Sequence, residues 1–295
     1  MILMVSGRTD IVAFYSKWFM NRYDDGFVDV RSPFRDDLVN RIFFKDVDAI
    51  LFCTKNPLPI LDSLKRIDKP ILFHVTLTPY KEDIEPNVIS KQDVIEGIKK
   101  LSSILGADRV VVRYDPILLN SKYDVAYHKK AFEKVCRLLD GYVKKIIVSF
   151  IDDCKNVRNH TNDLRLRKFT DDDYREIGLS FSKSASLHGM SVQTCFEEHD
   201  LVQYGFVRGE CMSHELAYQL TGKAYSDWKA RKENLCHCVQ MVDIGAYNSC
   251  KHLCKYCYAN FNENEINRNI NNHFDDSSLL IGRLRDDDVV KVRYK

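Results

Sequence analysis

Arg109-Val110-Val111-Val112-Arg113-Tyr114 runs straight into Asp115-Pro116-Ile117-Leu118. A short, β-branched, nearly unbroken apolar run fits a strand buried on both faces. The Asp115-Pro116 dipeptide marks the point where that strand is expected to stop. The same build recurs at Ile2–Ser6, Ala49–Thr54, Ile71–Thr76, Lys145–Phe150, Ser191–Thr194 and Met241–Gly245. Helix-period segments lie between. Asp10–Arg22 carries Ile11, Phe14, Trp18 and Phe19 on one side. Ser90–Leu105 opens on a capping serine, and Asp124–Leu139 follows. Thr170 caps Asp171–Leu187, whose three leading aspartates favour the positive helix end, and Gly189 suits its stop.

Strands alternating with helices predict parallel βαβ units. Seven strands at this spacing predict an α/β fold, a TIM-like (β/α) barrel, closed or partly open. An open doubly wound sheet is the alternative, but no Gly-rich phosphate fingerprint follows any strand. Phe27–Val30 and Arg41–Phe44 read as a small inserted hairpin. Residues 1–262 then form one barrel domain, with an irregular insertion at about 198–240 holding one or two helices. Residues 263–295 read as a polar, loosely held tail.

Composition narrows the function classes. Hydrophobic residues are 45% and charged residues 29%, which excludes a disordered chain. Forty-four basic against 42 acidic residues leave net +2, so no global polybasic character draws nucleic acid. The opening Met1-Ile2-Leu3-Met4-Val5 lacks a basic leader, and no apolar stretch approaches ~20 residues. A cytoplasmic protein without a membrane partner is expected.

Several strands end in polar clusters: Ser6-Gly7-Arg8-Thr9-Asp10, Thr54-Lys55-Asn56, Thr76-Leu77-Thr78, Arg113-Tyr114-Asp115, and Thr194-Cys195 with Glu197-Glu198. In a parallel barrel these converge on the rim where active sites sit. Arg8, Asp10, Lys55, Arg113, Asp115 and Glu197 are the catalytic candidates. Arg113 suits bidentate anion binding and Lys55 a point contact to an anion. Arg113–Asp115 and Arg8–Asp10 ion pairs that only shape the rim are the alternative. His74, between Phe73 and Val75, reads as a satisfied core histidine.

Five of the ten cysteines fall in one 22-residue stretch, which in a reducing compartment points to metal ligation. Cys250-Lys-His-Leu-Cys254-Lys-Tyr-Cys257 has the spacing C-x3-C-x2-C. Three thiolates on one loop suit three irons of a 4Fe–4S cubane, whereas structural zinc wants four protein ligands. His252 would complete a zinc site instead. Cys195, Cys211, Cys236 and Cys238 form a second candidate set, for another Fe–S cluster or zinc. Cys53, Cys136 and Cys154 read as structural.

With Tyr256 just before its third cysteine, the motif resembles the signature of radical S-adenosylmethionine (radical SAM) enzymes. The resemblance implies that Cys250, Cys254 and Cys257 hold a 4Fe–4S cluster whose open iron chelates S-adenosylmethionine (SAM). It implies reductive cleavage to a 5′-deoxyadenosyl radical, Tyr256 near the adenine, and an electron donor such as flavodoxin or ferredoxin. The substrate stays unknown. In that superfamily the motif usually follows the first barrel strand, yet only 38 residues follow Cys257. A circular permutation reconciles the two: Met241–Gly245 would lie beside Ile2–Ser6. Ser6-Gly7-Arg8 would then stand where the superfamily has a Gly-Gly-Glu turn for the SAM amine, without the Glu. Gly7 and Thr76 are the accompanying cofactor contacts.

Cys254-Lys-Tyr-Cys257-Tyr-Ala also resembles spore photoproduct lyases, which implies nucleic-acid repair as an alternative. The basic stretch Arg158, Arg165, Arg167 and Lys168 lacks interleaved aromatics and reads as a solvated loop. A non-catalytic metal-binding barrel is the other alternative. Over nearly its whole length the chain resembles an uncharacterised bacterial and archaeal family with a C-terminal cysteine cluster. Ser6-Gly-Arg-Thr-Asp-Ile11, Thr54-Lys-Asn-Pro57, Arg113-Tyr-Asp-Pro-Ile-Leu118 and Val242-Asp-Ile-Gly-Ala-Tyr-Asn248 carry that likeness.

Overall fold

The computed structural model describes residues 1–195, 197–227 and 237–294. Its strands are β1 (Ile2–Val5), β2 (Phe27–Arg31), β3 (Leu38–Phe43), β4 (Ala49–Thr54), β5 (Ile71–Thr76), β6 (Val110–Ile117), β7 (Lys145–Phe150), β8 (Ser191–Thr194), β9 (Val207–Arg208), β10 (Met241–Asp243) and β11 (Val289–Val292). Its α-helices are α1 (Ile11–Phe14), α2 (Ser16–Asp25), α3 (Lys91–Leu105), α4 (Val125–Leu138), α5 (Lys155–Asn159), α6 (Thr161–Leu164), α7 (Asp171–Leu187), α8 (His214–Thr221) and α9 (Glu263–Asn271).

Eight strands form one sheet in the order β10-β1-β4-β5-β6-β7-β8-β9. Every pairing in it is parallel. The expected neighbour relation holds: Ile2 pairs with Met241, and Met4 with Asp243. The unbroken apolar runs follow from burial on both faces. Leu3, Val5, Ile50, Phe52, Val112 and Val148 join the large core under the helices. Ile2, Leu51, Leu72, Val111 and Ile147 face the other way, into a smaller core closed by Met212, Ala217 and Leu220. On the helical side α4 and α7 meet through Phe132 and Phe181, stacked 3.8 Å apart. Such a pair contributes ~0.5–1.5 kcal/mol beyond its burial.

Several boundaries differ from expectation, each for a local reason. The first helix is two, because Tyr15 leaves helical geometry at φ −136°. Its hydroxyl donates to the Ser249 carbonyl at 2.6 Å and so ties this break to the cysteine loop. Strand β6 does not stop at Asp115-Pro116. It continues to Ile117 through a register shift after Tyr114, the irregularity at which a sheet tolerates proline. Strand β10 ends early, since the Asp243 carboxylate takes the Gly245 N–H at 2.6 Å. The irregular insertion contributes an eighth strand, β9, beside β8.

The hairpin is present as antiparallel β2 and β3. The segment expected to hang loosely is packed instead. Trp18 Nε1 donates to the Ser277 carbonyl at 2.8 Å, Leu279 and Leu280 are buried, and β11 pairs in parallel with β3. Among the described residues no helix is long and apolar enough to cross a membrane.

Candidate metal centre

A cavity of about 510 Å³ opens at the C-terminal ends of the parallel strands. Gly7, Arg8 and Asp10 reach it after β1, Lys55 after β4, Thr76 from β5, Arg113 and Asp115 from β6, and Glu197 after β8. Tyr256 and the thiols of Cys250, Cys254 and Cys257 line it from the loop after β10. Cys195, Cys211 and Cys238 line it as well. Cys236 lies outside the described residues. Cys53 and Cys154 also face the cavity, whereas Cys136 sits in the helical core as expected.

The C-x3-C-x2-C loop is held by its backbone. Asn260 brackets Cys250, its amide donating to the Cys250 carbonyl at 2.6 Å and its Oδ1 taking the Cys250 N–H at 3.3 Å. Asn156 donates to the carbonyls of Cys254 and Lys255. Leu253 adopts φ +56°, which turns the chain just before the motif's second cysteine, Cys254. His252 turns away from the thiols: Nε2 meets Asp10 at 2.9 Å and Nδ1 the Asn87 carbonyl at 3.3 Å. Both ring nitrogens are engaged, so His252 is no fourth ligand here. Burial, foremost, pushes all three thiols upward, and the thiols oppose one another's ionisation. Metal binding would therefore release protons.

Beside Cys254 lies a buried charge network. Glu85 accepts from Lys55 Nζ at 2.8 Å and also meets Lys91, Thr78 and the Tyr256 hydroxyl. Burial alone would raise the Glu85 carboxyl, but the charges of Lys55 and Lys91 outweigh it and hold it down to about 2. Lys55 is thus neither solvated nor unpaired. Asp10 is a cap, accepting the Ala13 N–H at 2.9 Å and the Lys55 N–H at 2.7 Å. The expected Arg8–Asp10 pair is replaced by Arg8–Asp243. The Arg113–Asp115 pair does form, with Nε to Oδ2 at 2.8 Å.

The other three cysteines are more compact. Cys195, Cys211 and Cys238 place their sulfurs within 4.8 Å of one another, and this group could hold a metal ion. Among the described residues it is the only such group of three Cys, His, Asp or Glu ligands. The Cys211–Cys195 sulfur contact is 2.9 Å, and Arg113 Nη1 lies 3.0 Å from the Cys211 sulfur. Hydrogen bonds from Cys195 and Cys238, ahead of the Arg113 charge, hold the Cys211 thiol well below its usual range.

The family described as "Domain of unknown function (DUF1848)" matches residues 2–259. The chain belongs to this family. No curated protein matches it. Among solved structures it is similar to a provisionally assigned alpha-L-fucosidase from Bacteroides thetaiotaomicron VPI-5482, at 10% identity and a TM-score of 0.29, over 66% of this chain and 57% of that one. The chain thus spans little more than half of that protein, and a likeness this slight says nothing of its chemistry.

Three residues of this DUF1848 chain stand at the cavity or beside it without having been singled out as functional. Asp243 gathers the Ser6 hydroxyl at 2.8 Å and the Gly7 N–H at 2.7 Å, together with Arg8. A Cβ on Gly7 would meet the Asp243 carboxylate at 3.0 Å, so the turn needs glycine. An acidic residue inside an apolar strand was the available signal. Glu85 had none, because the loop after β5 carries no pattern. His74 is buried but not satisfied, its Nε2 being without a partner. Glu197 is half-buried and accepts the Phe150 N–H at 2.7 Å, and burial, foremost, pushes its carboxyl up to about 8.

Proposed function

We propose that this protein is an iron–sulfur enzyme of radical SAM type, built on a permuted, barrel-like (β/α) sheet. Cys250, Cys254 and Cys257 would hold a 4Fe–4S cluster. One observation carries the reading: the parallel pairing of β10 with β1 sets the C-x3-C-x2-C loop over the same cavity that receives the polar strand ends. The donors fit the group. The three thiols are not gathered as closely as the Cys195 set, and a cubane binds each thiolate to a different iron. No described His completes them as a single-ion site.

When bound, the cluster would supply the electron that cleaves SAM reductively. The chain's own residues do the rest. Asn156, Asn260 and Tyr15 fix the loop carbonyls and so hold the cysteine loop in place at the cavity. Lys55 offsets negative charge beside Cys254. Tyr256, its hydroxyl on Glu85 and its ring edge-on to Tyr80, walls the cavity between the loop and β5. Arg113 is tied to Asp115 and Cys211, and Arg8 to Asp243, so an anionic group would share a cation that is already paired. Glu197 holds a proton near neutrality at the rim. The basic stretch is dispersed, with Arg158 on Asp153 and Arg167 on Asp173, which disfavours nucleic acid.

Reconstitution without oxygen, using iron and sulfide, should yield a broad thiolate-to-iron absorption. Reduction in the presence of SAM should then release 5′-deoxyadenosine. A fully loaded cluster that gives none would overturn the reading.

A further inference from the structure

Cys195 follows β8, Cys211 follows β9 and Cys238 precedes β10, so three segments remote in sequence meet at one point. Strands β9 and β10 stand at opposite ends of the sheet order, and the group draws those ends together. A backbone bond from Val239 N–H to the Met212 carbonyl, at 3.0 Å, crosses beside it. Three thiolates on one tetrahedral zinc, with Zn–S of ~2.3 Å, stand ~3.8 Å apart. A set within 4.8 Å therefore suits one ion and is too close for a cubane. Thiolate donors select zinc over magnesium or calcium.

A second observation points to an occupant. His74 is 1% exposed, lines the same cavity, and its Nε2 has no hydrogen-bond partner. A buried polar atom left without a partner is unfavourable unless something in the cavity meets it. His74 lies near enough for the Cys211 charge to act on it but does not belong to the 4.8 Å group, so it is a neighbour of the site and not a ligand.

We propose that Cys195, Cys211 and Cys238 hold one zinc ion whose fourth position opens on the cavity, where His74 Nε2 hydrogen-bonds the oxygen or nitrogen donor that occupies it. Three thiolates on a divalent ion leave one negative charge, and the Arg113 guanidinium, 3.0 Å from the Cys211 sulfur, offsets it. Among the described residues the site has the form of a catalytic zinc, three protein ligands with one position left for water or substrate; Cys236, outside the described residues, is the competing fourth ligand that the sulfur count tests. It is independent of the iron–sulfur reading, since it shares no ligand with the C-x3-C-x2-C loop.

The test uses the full chain, purified without oxygen and dialysed against zinc. About one zinc per chain is expected, and X-ray absorption at the zinc edge should find three sulfurs and one nitrogen or oxygen. Cys195→Ser should lose the zinc, while Cys250→Ser should keep it. His74→Leu should keep it too. Four sulfur neighbours would overturn the open position, as would loss of zinc in His74→Leu. Zinc retained by Cys195→Ser, or no uptake at all, would overturn the site. Should Cys195→Ser fail to fold, the absorption spectrum of the unaltered protein still decides. Iron binding at Cys250, Cys254 and Cys257 is counted in the same samples, so failure of either centre is seen separately.

Discussion

Cys250, Cys254 and Cys257 come from one loop, whereas Cys195, Cys211 and Cys238 come from three segments between which lie β9 and α8. Both trios line the same cavity. The local trio is conspicuous in sequence and spread in space. The dispersed trio is nearly invisible in sequence and compact in space. The difference follows from how each is built. A loop fixes its own spacing, and its thiols are not gathered within reach of one ion. A site made from dispersed segments is set by where the chain after β8, after β9 and before β10 comes together, and here that distance suits one ion.

The strongest way to break the comparison is to remove one thiol from the local trio. Cys254→Ser should abolish 5′-deoxyadenosine formation, down to the background of the unloaded protein, and strip the iron. Zinc at the other trio should be unchanged by elemental analysis. If both metals are lost together, the two centres are one.

Next in size is the charge network beside Cys254. Glu85→Gln leaves Lys55 largely buried without its partner, and such a loss costs about 3–5 kcal/mol by denaturant unfolding. The pH dependence has a definite sign. Glu85 is held down to about 2 when folded, against ~4.3 in an unfolded chain. Its contribution is therefore fully present above pH ~4.3 and is lost as pH falls toward 2. The Glu85→Gln protein should lack that part of the acid slope. An unaltered slope would remove Glu85 from the account. Zinc content should not move.

Chelation sharpens the other side. An ion present at about a hundredfold over its dissociation constant stabilises the fold by ~2.7 kcal/mol. Stripping zinc should lower the melting temperature by several degrees, and Cys195→Ser should show no further drop on chelation. The smallest effect is a control remote from both trios. Thr170 and Asp173 form a capping box at the start of α7. Thr170→Ala should cost about 1 kcal/mol and leave both metals in place.

Much of this was legible in the sequence. The buried strands show because both their faces are apolar, and α3, α4 and α7 because their caps and stops are spelled out in Ser90, Asp124, Thr170 and Gly189. Placing Met241–Gly245 beside Ile2–Ser6 followed from the resemblance to radical SAM enzymes, whose cysteine motif usually follows the first barrel strand. What stayed hidden depends on tertiary contact. Tyr15 breaks its helix to reach Ser249, which no periodicity announces. Two-residue β9 is too short to pattern, and its sheet partner makes it a strand. The C-terminal segment is polar, yet its backbone caps Trp18 and its last strand extends the hairpin. In the site, every described candidate from the strand ends reached the cavity, but their pairings did not follow sequence proximity. Arg8 passed over Asp10 for Asp243, and Asp10 took His252.

The most direct measurement is iron, sulfide and zinc per chain in protein prepared without oxygen, compared between the unaltered chain, Cys254→Ser and Cys195→Ser. The account predicts about four irons with matching sulfide and about one zinc in the unaltered chain. It predicts that Cys254→Ser loses iron alone and that Cys195→Ser loses zinc alone. Zinc in place of iron at the C-x3-C-x2-C loop, or one variant emptying both sites, would contradict it.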